Sequence, residues 1–131
     1  MTKKLAEFPL GVIMNGVRYD LEERTSLFAE AAVEFLVGVQ ESAVTRPLIS
    51  QAVRAATSVG ANYGEADDAV SKRDFAYRIA ICRKEARETK YWLRMLVKAD
   101  PRISEEARPL WQEAKELHLI LSKIWHSSRK A

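Results

Sequence analysis

Four stretches of this chain place small and apolar side chains at intervals that alternate between three and four residues. The clearest are Ile49, Ala52, Ala56, Val59, Tyr63, Ala66 and Val70, then Phe75, Ile79, Cys82, Ala86, Thr89, Leu93 and Leu96. Leu110, Ala114, Leu117, Leu121 and Ile124 form another such row, and Phe28, Ala31, Phe35 and Gly38 a shorter one. A strand buries every second residue, so it cannot collect such a pattern on one face. An α-helix can, and this interval is the seam of a left-handed helical bundle. The expected fold is all-α: an antiparallel up-and-down four-helix bundle over residues 20–131 with a short arm before it.

Local signals place the helix ends. Asp20, with Glu23 three residues on, can cap the first helix, which is expected to end near residues 40–43. Thr45-Arg46-Pro47 opens the second, with proline where no donor is lost. Ser71 with Asp74 opens the third, and Asp100-Pro101 stops it. Ser104 followed by Glu105 and Glu106 suits the start of the fourth, although Pro109 predicts an irregular first turn. Residues 1–19 form the arm. In it Asn15-Gly16 separates Val12-Ile13-Met14 from Val17-Arg18-Tyr19, a good two-residue hairpin turn; a poorly ordered terminus is the equal alternative.

With 131 residues and a single cysteine, Cys82, the chain suits one domain in a reducing compartment. The basic N-terminus lacks a following apolar run, and no segment approaches the ~20 apolar residues that span a bilayer. The expectation is a cytoplasmic protein that does not use a membrane.

Two strings in the middle of the chain combine this helical pattern with polar groups. Ser58, Asn62 and Glu65 flank the second seam, and Glu85, Glu88 and Trp92 flank the third. Such groups are costly beside a core unless they satisfy one another. If the flanks face each other, Asn62 and Glu65 meet Glu85, Glu88, or an arginine such as Arg54 or Arg78. The network would then fix helix register. Gly60 and Gly64 would let another helix approach closely, offsetting their cost of about 1 kcal/mol each in helix propensity.

The strings carry a resemblance. Arg24-Thr25-x-Leu27-Phe28-Ala29, Ser58-Val59-Gly60-Ala61-Asn62-x-x-Glu65-Ala66, Ser71-Lys72-Arg73-Asp74-Phe75 and Lys84-Glu85-Ala86-x-Glu88-Thr89-x-x-Trp92-Leu93 fit one family pattern. Over residues 20–128 the chain resembles the four-helix-bundle proteins first noticed in intervening sequences of bacterial 23S rRNA genes. That family is related to the accessory (variability determinant) protein of diversity-generating retroelements. The resemblance implies a closed bundle that assembles into a homopentameric barrel. It also implies RNA or DNA, and a reverse transcriptase, as candidate partners; most members have no assigned activity.

Catalytic and metal chemistry find little support. Carboxylates on facing helices suggest a di-iron bundle, but such sites need Glu-x-x-His, and here Glu85 is followed at that spacing by Glu88. The only histidines are His118 and His126. Cys82 falls on a seam, where a cysteine is usually an inert small hydrophobe. His118, between Leu117 and Leu119, reads as a packed or rim histidine. No phosphate loop or nucleophile motif is present. The chain is therefore read as a non-enzyme with no catalytic residue, metal site or cofactor.

Charge is the better functional signal. Residues 1–45 carry a net −3, residues 46–98 a net +5 and residues 99–131 a net +1. Residues 71–98 alone hold nine basic and three acidic side chains. Arg83, Arg87, Lys90, Arg94 and Lys98 share one face, away from the Glu85/Glu88/Trp92 flank, and Lys72 of the same helix joins them as a candidate contact. Like charges at this spacing repel by about 0.2–0.5 kcal/mol per pair. A polyanion could relieve that. So could the acidic first helix, through Glu22, Glu23, Glu30, Glu34 and Glu41, within a protomer or across a subunit interface. A solvated face is the third reading. The favoured function is an oligomeric nucleic-acid-binding accessory protein of low sequence specificity. The alternative is an assembly or scaffold protein that uses the charged faces for contacts.

Overall fold

The computed structural model describes residues 12–14 and 17–129. In chain order it contains strands β1 (Val12–Met14) and β2 (Val17–Tyr19), then helices α1 (Leu21–Val37), α2 (Thr45–Asp67), α3 (Lys72–Ala99) and α4 (Ser104–Ser128). A 3-10 turn at Pro101–Ile103 precedes α4. β1 and β2 pair antiparallel, with Val12 opposite Tyr19 and Met14 opposite Val17. The expected turn residues Asn15-Gly16 lie outside the described residues, as do residues 1–11, 130 and 131.

Most helix starts follow the expected chemistry. The Asp20 carboxylate accepts from the Glu23 amide at 3.1 Å, and the Ser71 hydroxyl accepts from the Asp74 amide at 3.0 Å. At α2 the capping oxygen comes from further back, since Ser42 Oγ accepts from the amides of Val44 and Thr45. α4 differs from expectation. Asp100 accepts from the Arg102 amide and sets the 3-10 turn, so the irregularity precedes the helix. Ser104 is then the first helical residue rather than a cap, and α4 runs on through Pro109. α1 stops at Val37, short of the expected residues 40–43, with Gly38 as its C-cap.

The helices form a closed ring. α2 packs on α1 and α3, and α4 packs on α3 and α1. The larger core cluster draws on all four helices along most of their length, including Leu21, Ala32, Ala66, Ile79, Leu93, Leu110 and Ile124. A second lies at one end of the ring, where Leu36 late in α1 and Val39 after it, Ala52 early in α2, Leu96 late in α3 and Ile103 just before α4 come together. That alternation is the up-and-down arrangement. Ile79, Leu93, Leu96, Leu117 and Leu121 are fully buried; each contributes about 1.5–3 kcal/mol.

The seams of α3 and α4 are buried as expected, apart from half-buried Phe75. On α2, Ala52 to Ala66 are buried, Ile49 is half-buried, and Val70 is 94 % exposed because the helix ends at Asp67. On α1 the seam is displaced. Ala32 and Leu36 are buried, whereas Ala31 and Gly38 are exposed. The displaced seam also buries Arg24 and Thr25, polar residues that an apolar count passes over.

Arg24 closes the ring. Its Nε donates to Glu113 Oε2 at 2.7 Å and its Nη2 to Glu113 Oε1 at 2.8 Å, a bidentate pair between α1 and α4. Nη2 also donates to Glu116 Oε1 at 3.0 Å. Burial works against the guanidinium charge, but these two carboxylates outweigh it and raise its pKa. Next to it, Gly60 of α2 faces Thr25 of α1, where an added Cβ would meet Thr25 Oγ1 at 3.4 Å. The expected close approach therefore holds at Gly60. It fails at Gly64, where no atom outside the adjoining backbone of α2 lies within 4 Å of such a Cβ.

Two predictions follow from these contacts. Arg24→Met keeps the apolar stem but strands two carboxylates, so it should lower the unfolding free energy by about 2 kcal/mol. Urea titration beside Arg46→Met, whose partner Glu41 lies at 3.4 Å with both side chains exposed, provides the measure. Equal losses would contradict a lock at Arg24. Gly64→Ala should raise stability by about 1 kcal/mol through helix propensity, and Gly60→Ala by less, because its methyl must fit against Thr25.

Candidate nucleic-acid interface

α3 is sorted by charge about its seam. The flank one residue before the seam carries Glu85 and Glu88 and faces α2. There Arg54 Nη1 donates to Glu85 Oε1 at 3.0 Å and Nη2 to Glu88 Oε1 at 2.6 Å. A second station lies nearer the other end of the helix pair. Arg78 Nη1 donates to Asn62 Oδ1 at 3.4 Å and its Nη2 lies 3.9 Å from Glu65 Oε1, while Asn62 Nδ2 donates to the Ser58 carbonyl at 2.9 Å.

Each polar string thus meets an arginine of the facing helix, Arg78 for the first and Arg54 for the second, and not the other string. Asn62 and Glu65 do not meet Glu85 or Glu88, and Ser58 takes part through its backbone. Among the described residues, no group of three ligating side chains converges as a metal site would require. Cys82 is fully buried, and burial pushes its thiol up to about 12, which leaves no thiolate for chemistry near neutrality.

The flank one residue after the seam carries Arg83, Arg87, Lys90 and Arg94 and faces α4. Arg87 and Arg94 are exposed, and Arg83 and Lys90 are half-buried. Lys98 continues the row, exposed, at the C-terminal end of α3. Lys72 is exposed at the other end, about 16 Å along the axis from Arg83. Among the described residues, none of these six forms an ion pair with a carboxylate. The expected pairing with the acidic first helix within a protomer does not occur. α1 packs on α2 and α4, across the ring from α3, and Glu22, Glu23, Glu30 and Glu34 point to solvent.

α4 supplies something else. Arg108, Trp111, Lys115, His118, Ser122, Trp125 and Arg129 alternate at three and four residues, one position after the α4 seam. Running antiparallel to α3, this row lays its aromatic rings against the cations. The Arg83 guanidinium carbon sits 4.3 Å from the Trp125 ring centroid and the Lys90 ammonium 5.2 Å from that of Trp111. Arg129, just past the end of α4, and Lys115 within it approach the same two rings, at 4.4 and 5.8 Å.

His118 lies between the tryptophans. Its pKa is lowered by burial first and then by the fields of Lys90, Arg83 and Arg87. Towards the C-terminal end of α3, a groove of about 410 Å³ opens between the helices, with Arg94 and Arg108 among its lining residues. Sequence reasoning found the α3 row and missed the α4 row. The signal was present as a second alternation, offset by one residue from the α4 seam.

The face is therefore a strip of cations braced by aromatic rings, with no acidic residue in either row. Such a strip attracts anions through a field that repeats along the helix, with faces for flat rings between the charges. None of the four helices is long and apolar enough to cross a membrane.

Comparison with known proteins agrees with this architecture. A search of curated proteins finds no match. A crystal structure of a protein of unknown function from the S23 ribosomal protein family of Bacteroides thetaiotaomicron superposes with a TM-score of 0.71. The two sequences are 32 % identical, over 80 % of this chain and 97 % of that one. The family pattern of the 23S rRNA-intervening sequence protein matches residues 23–123, and the chain belongs to that family.

Proposed function

We propose that this protein is a non-enzymatic, nucleic-acid-binding accessory protein that contacts phosphates through the α3–α4 strip. The observation that carries the reading is the run of Arg83, Arg87, Lys90, Arg94 and Lys98 with no carboxylate partner among the described residues. Cations that repel one another along a helix gain most from a ligand carrying a matching run of negative charge. Among the described residues no element presents a base-reading pattern, so binding is expected to depend weakly on sequence. We further propose a cytoplasmic homo-oligomer, a pentamer in keeping with the family resemblance. Such a ring would repeat the strip in each subunit and raise avidity. A reverse transcriptase is a candidate protein partner on the same resemblance.

The competing reading is an assembly protein whose strip contacts another subunit or a partner protein. The apolar side chains left exposed on several helices, Val37 at 81 %, Tyr77 at 60 % and Leu119 at 57 %, favour some assembly. They lie outside the basic row, so both readings can hold at different surfaces.

Replacing Arg87 and Arg94 with Glu decides between the readings. Both side chains are exposed, so the fold should persist. Under the nucleic-acid reading, RNA and DNA binding at low salt is lost while the oligomer survives. In the parent protein, log affinity should fall against log salt with a slope of about −3 or steeper. Under the assembly reading, the same change dissociates the oligomer in sedimentation. His118 gives a second test. Burial, the larger cause of the His118 shift, stays when a polyanion binds, but the fields of Lys90, Arg83 and Arg87 are offset, so the histidine pKa should rise while remaining below its ordinary value of about 6.5. Binding then takes up a proton, and affinity should increase as pH falls through that range. Imidazole proton shifts in NMR, with and without RNA, would report it; an unmoved His118 would place the ligand on another surface.

A further inference from the structure

The groove at the C-terminal end of α3 differs in chemistry from the rest of the strip. Leu93, Val97 and Ala107 give it an apolar lining, Trp111 contributes a flat aromatic ring, and Arg94 and Arg108 carry the charge. Leu93 and Ala107 are buried, Trp111 is half-buried, and both arginines are exposed. No acidic side chain lines it. Its volume of about 410 Å³ lies within the range of small-ligand sites. A solvated cationic helix has no need of such a cleft, and phosphates alone would not fill it.

We infer that this groove receives an unpaired nucleobase, with the adjoining phosphate held by Arg94 and Arg108, so that the strip takes single-stranded nucleic acid in preference to duplex. The inference rests on the nucleic-acid reading above and adds the strand state. Arg94 belongs to both the groove and the basic row, so a strand lying on the row reaches the groove without changing course.

The row itself favours the same state. Its cations recur about once per helical turn of 5.4 Å, and from Arg83 to Lys98 they follow a straight line of about 22 Å. The phosphates of one duplex strand wind away from a straight line, and its bases are closed to lateral stacking. An unpaired strand can follow the line and turn a base aside. Aromatic faces beside a cationic track are the means by which single strands are held without sequence preference. The rim guanidiniums select an anion and the indole selects a flat ring; a nucleotide carries both.

The test uses the full chain and two probes, a thymidine oligomer of about 12 nucleotides, within the span of single-strand sites, and a mixed-sequence duplex of the same length. In a Trp92→Phe, Trp125→Phe protein, Trp111 is the sole indole and reports the groove directly. The oligomer should quench Trp111 emission and bind at least about tenfold more tightly than the duplex at equal salt. Trp111→Leu keeps an apolar side chain but removes the ring; it should weaken oligomer binding by about tenfold or more and duplex binding, which loses only the brace on Lys90, by much less, so that the preference for the oligomer falls. Arg108→Ala, at an exposed position, should reduce the preference in the same direction if Trp111→Leu does not fold.

Equal affinity for the two probes with Trp111 emission unmoved would overturn the groove while leaving phosphate binding on the strip intact. Failure to bind either probe at low salt would overturn both.

Discussion

A ring of four helices closes only if the first and last touch, and here α1 meets α4 in the smallest of the four helix–helix contacts. α1 is 17 residues long against 28 for α3, so it offers little apolar surface for that joint. A guanidinium supplies what the surface lacks. Arg24 is 8 % exposed, and its bidentate bond to Glu113 fixes both the separation and the rotation of the two helices. Leucines in the same place could slide past one another. A fork between two carboxylates has one register, which is the best-attested use of a buried ion pair.

That joint and its counterpart at Arg54 also shape the outer charge. Glu113 and Glu116 turn towards α1, and Glu85 and Glu88 turn towards α2. Each pair sits on the flank of its helix one residue before the seam. Because α3 and α4 are antiparallel neighbours, their remaining flanks meet, and acids spent on the locks are absent from that side. The cationic strip is thus a consequence of how the bundle secures its joints. A weakly positive chain of net +3 acquires a face that carries far more than its share of the charge.

The seams of α2, α3 and α4 were legible because each is long, regular and apolar, and tertiary packing had nothing to override. α1 was misread where its buried face is polar. Arg24 and Thr25 look like surface residues until Glu113, 89 positions away, supplies a partner that no local pattern announces. Gly60 and Gly64 look alike in sequence, yet only Gly60 has a helix against it, since spacing along α2 does not say where α1 crosses. The stripe on α3 was legible as a charge pattern, but its neighbour was not. Whether acids or aromatics face it depends on which flank of α4 turns inward. Glu113 and Trp111 lie two residues apart, on opposite sides of the α4 seam.

What faces the stripe decides what it can do. A carboxylate would hold Arg83 or Lys90 in place and cancel its charge. Trp125 and Trp111 hold them by the face of a neutral ring, which restrains the side chain and leaves its field pointing outward. The mutual repulsion along α3 is therefore retained in the folded protein, at about 0.2–0.5 kcal/mol per neighbouring pair, where interleaved acids would have removed it. A bundle selected for stability alone would place Glu at one of these positions. Bracing a cation with an aromatic ring costs stability relative to an ion pair network and keeps the charge available at the surface, whether to a polyanion or to the acidic face of another protein.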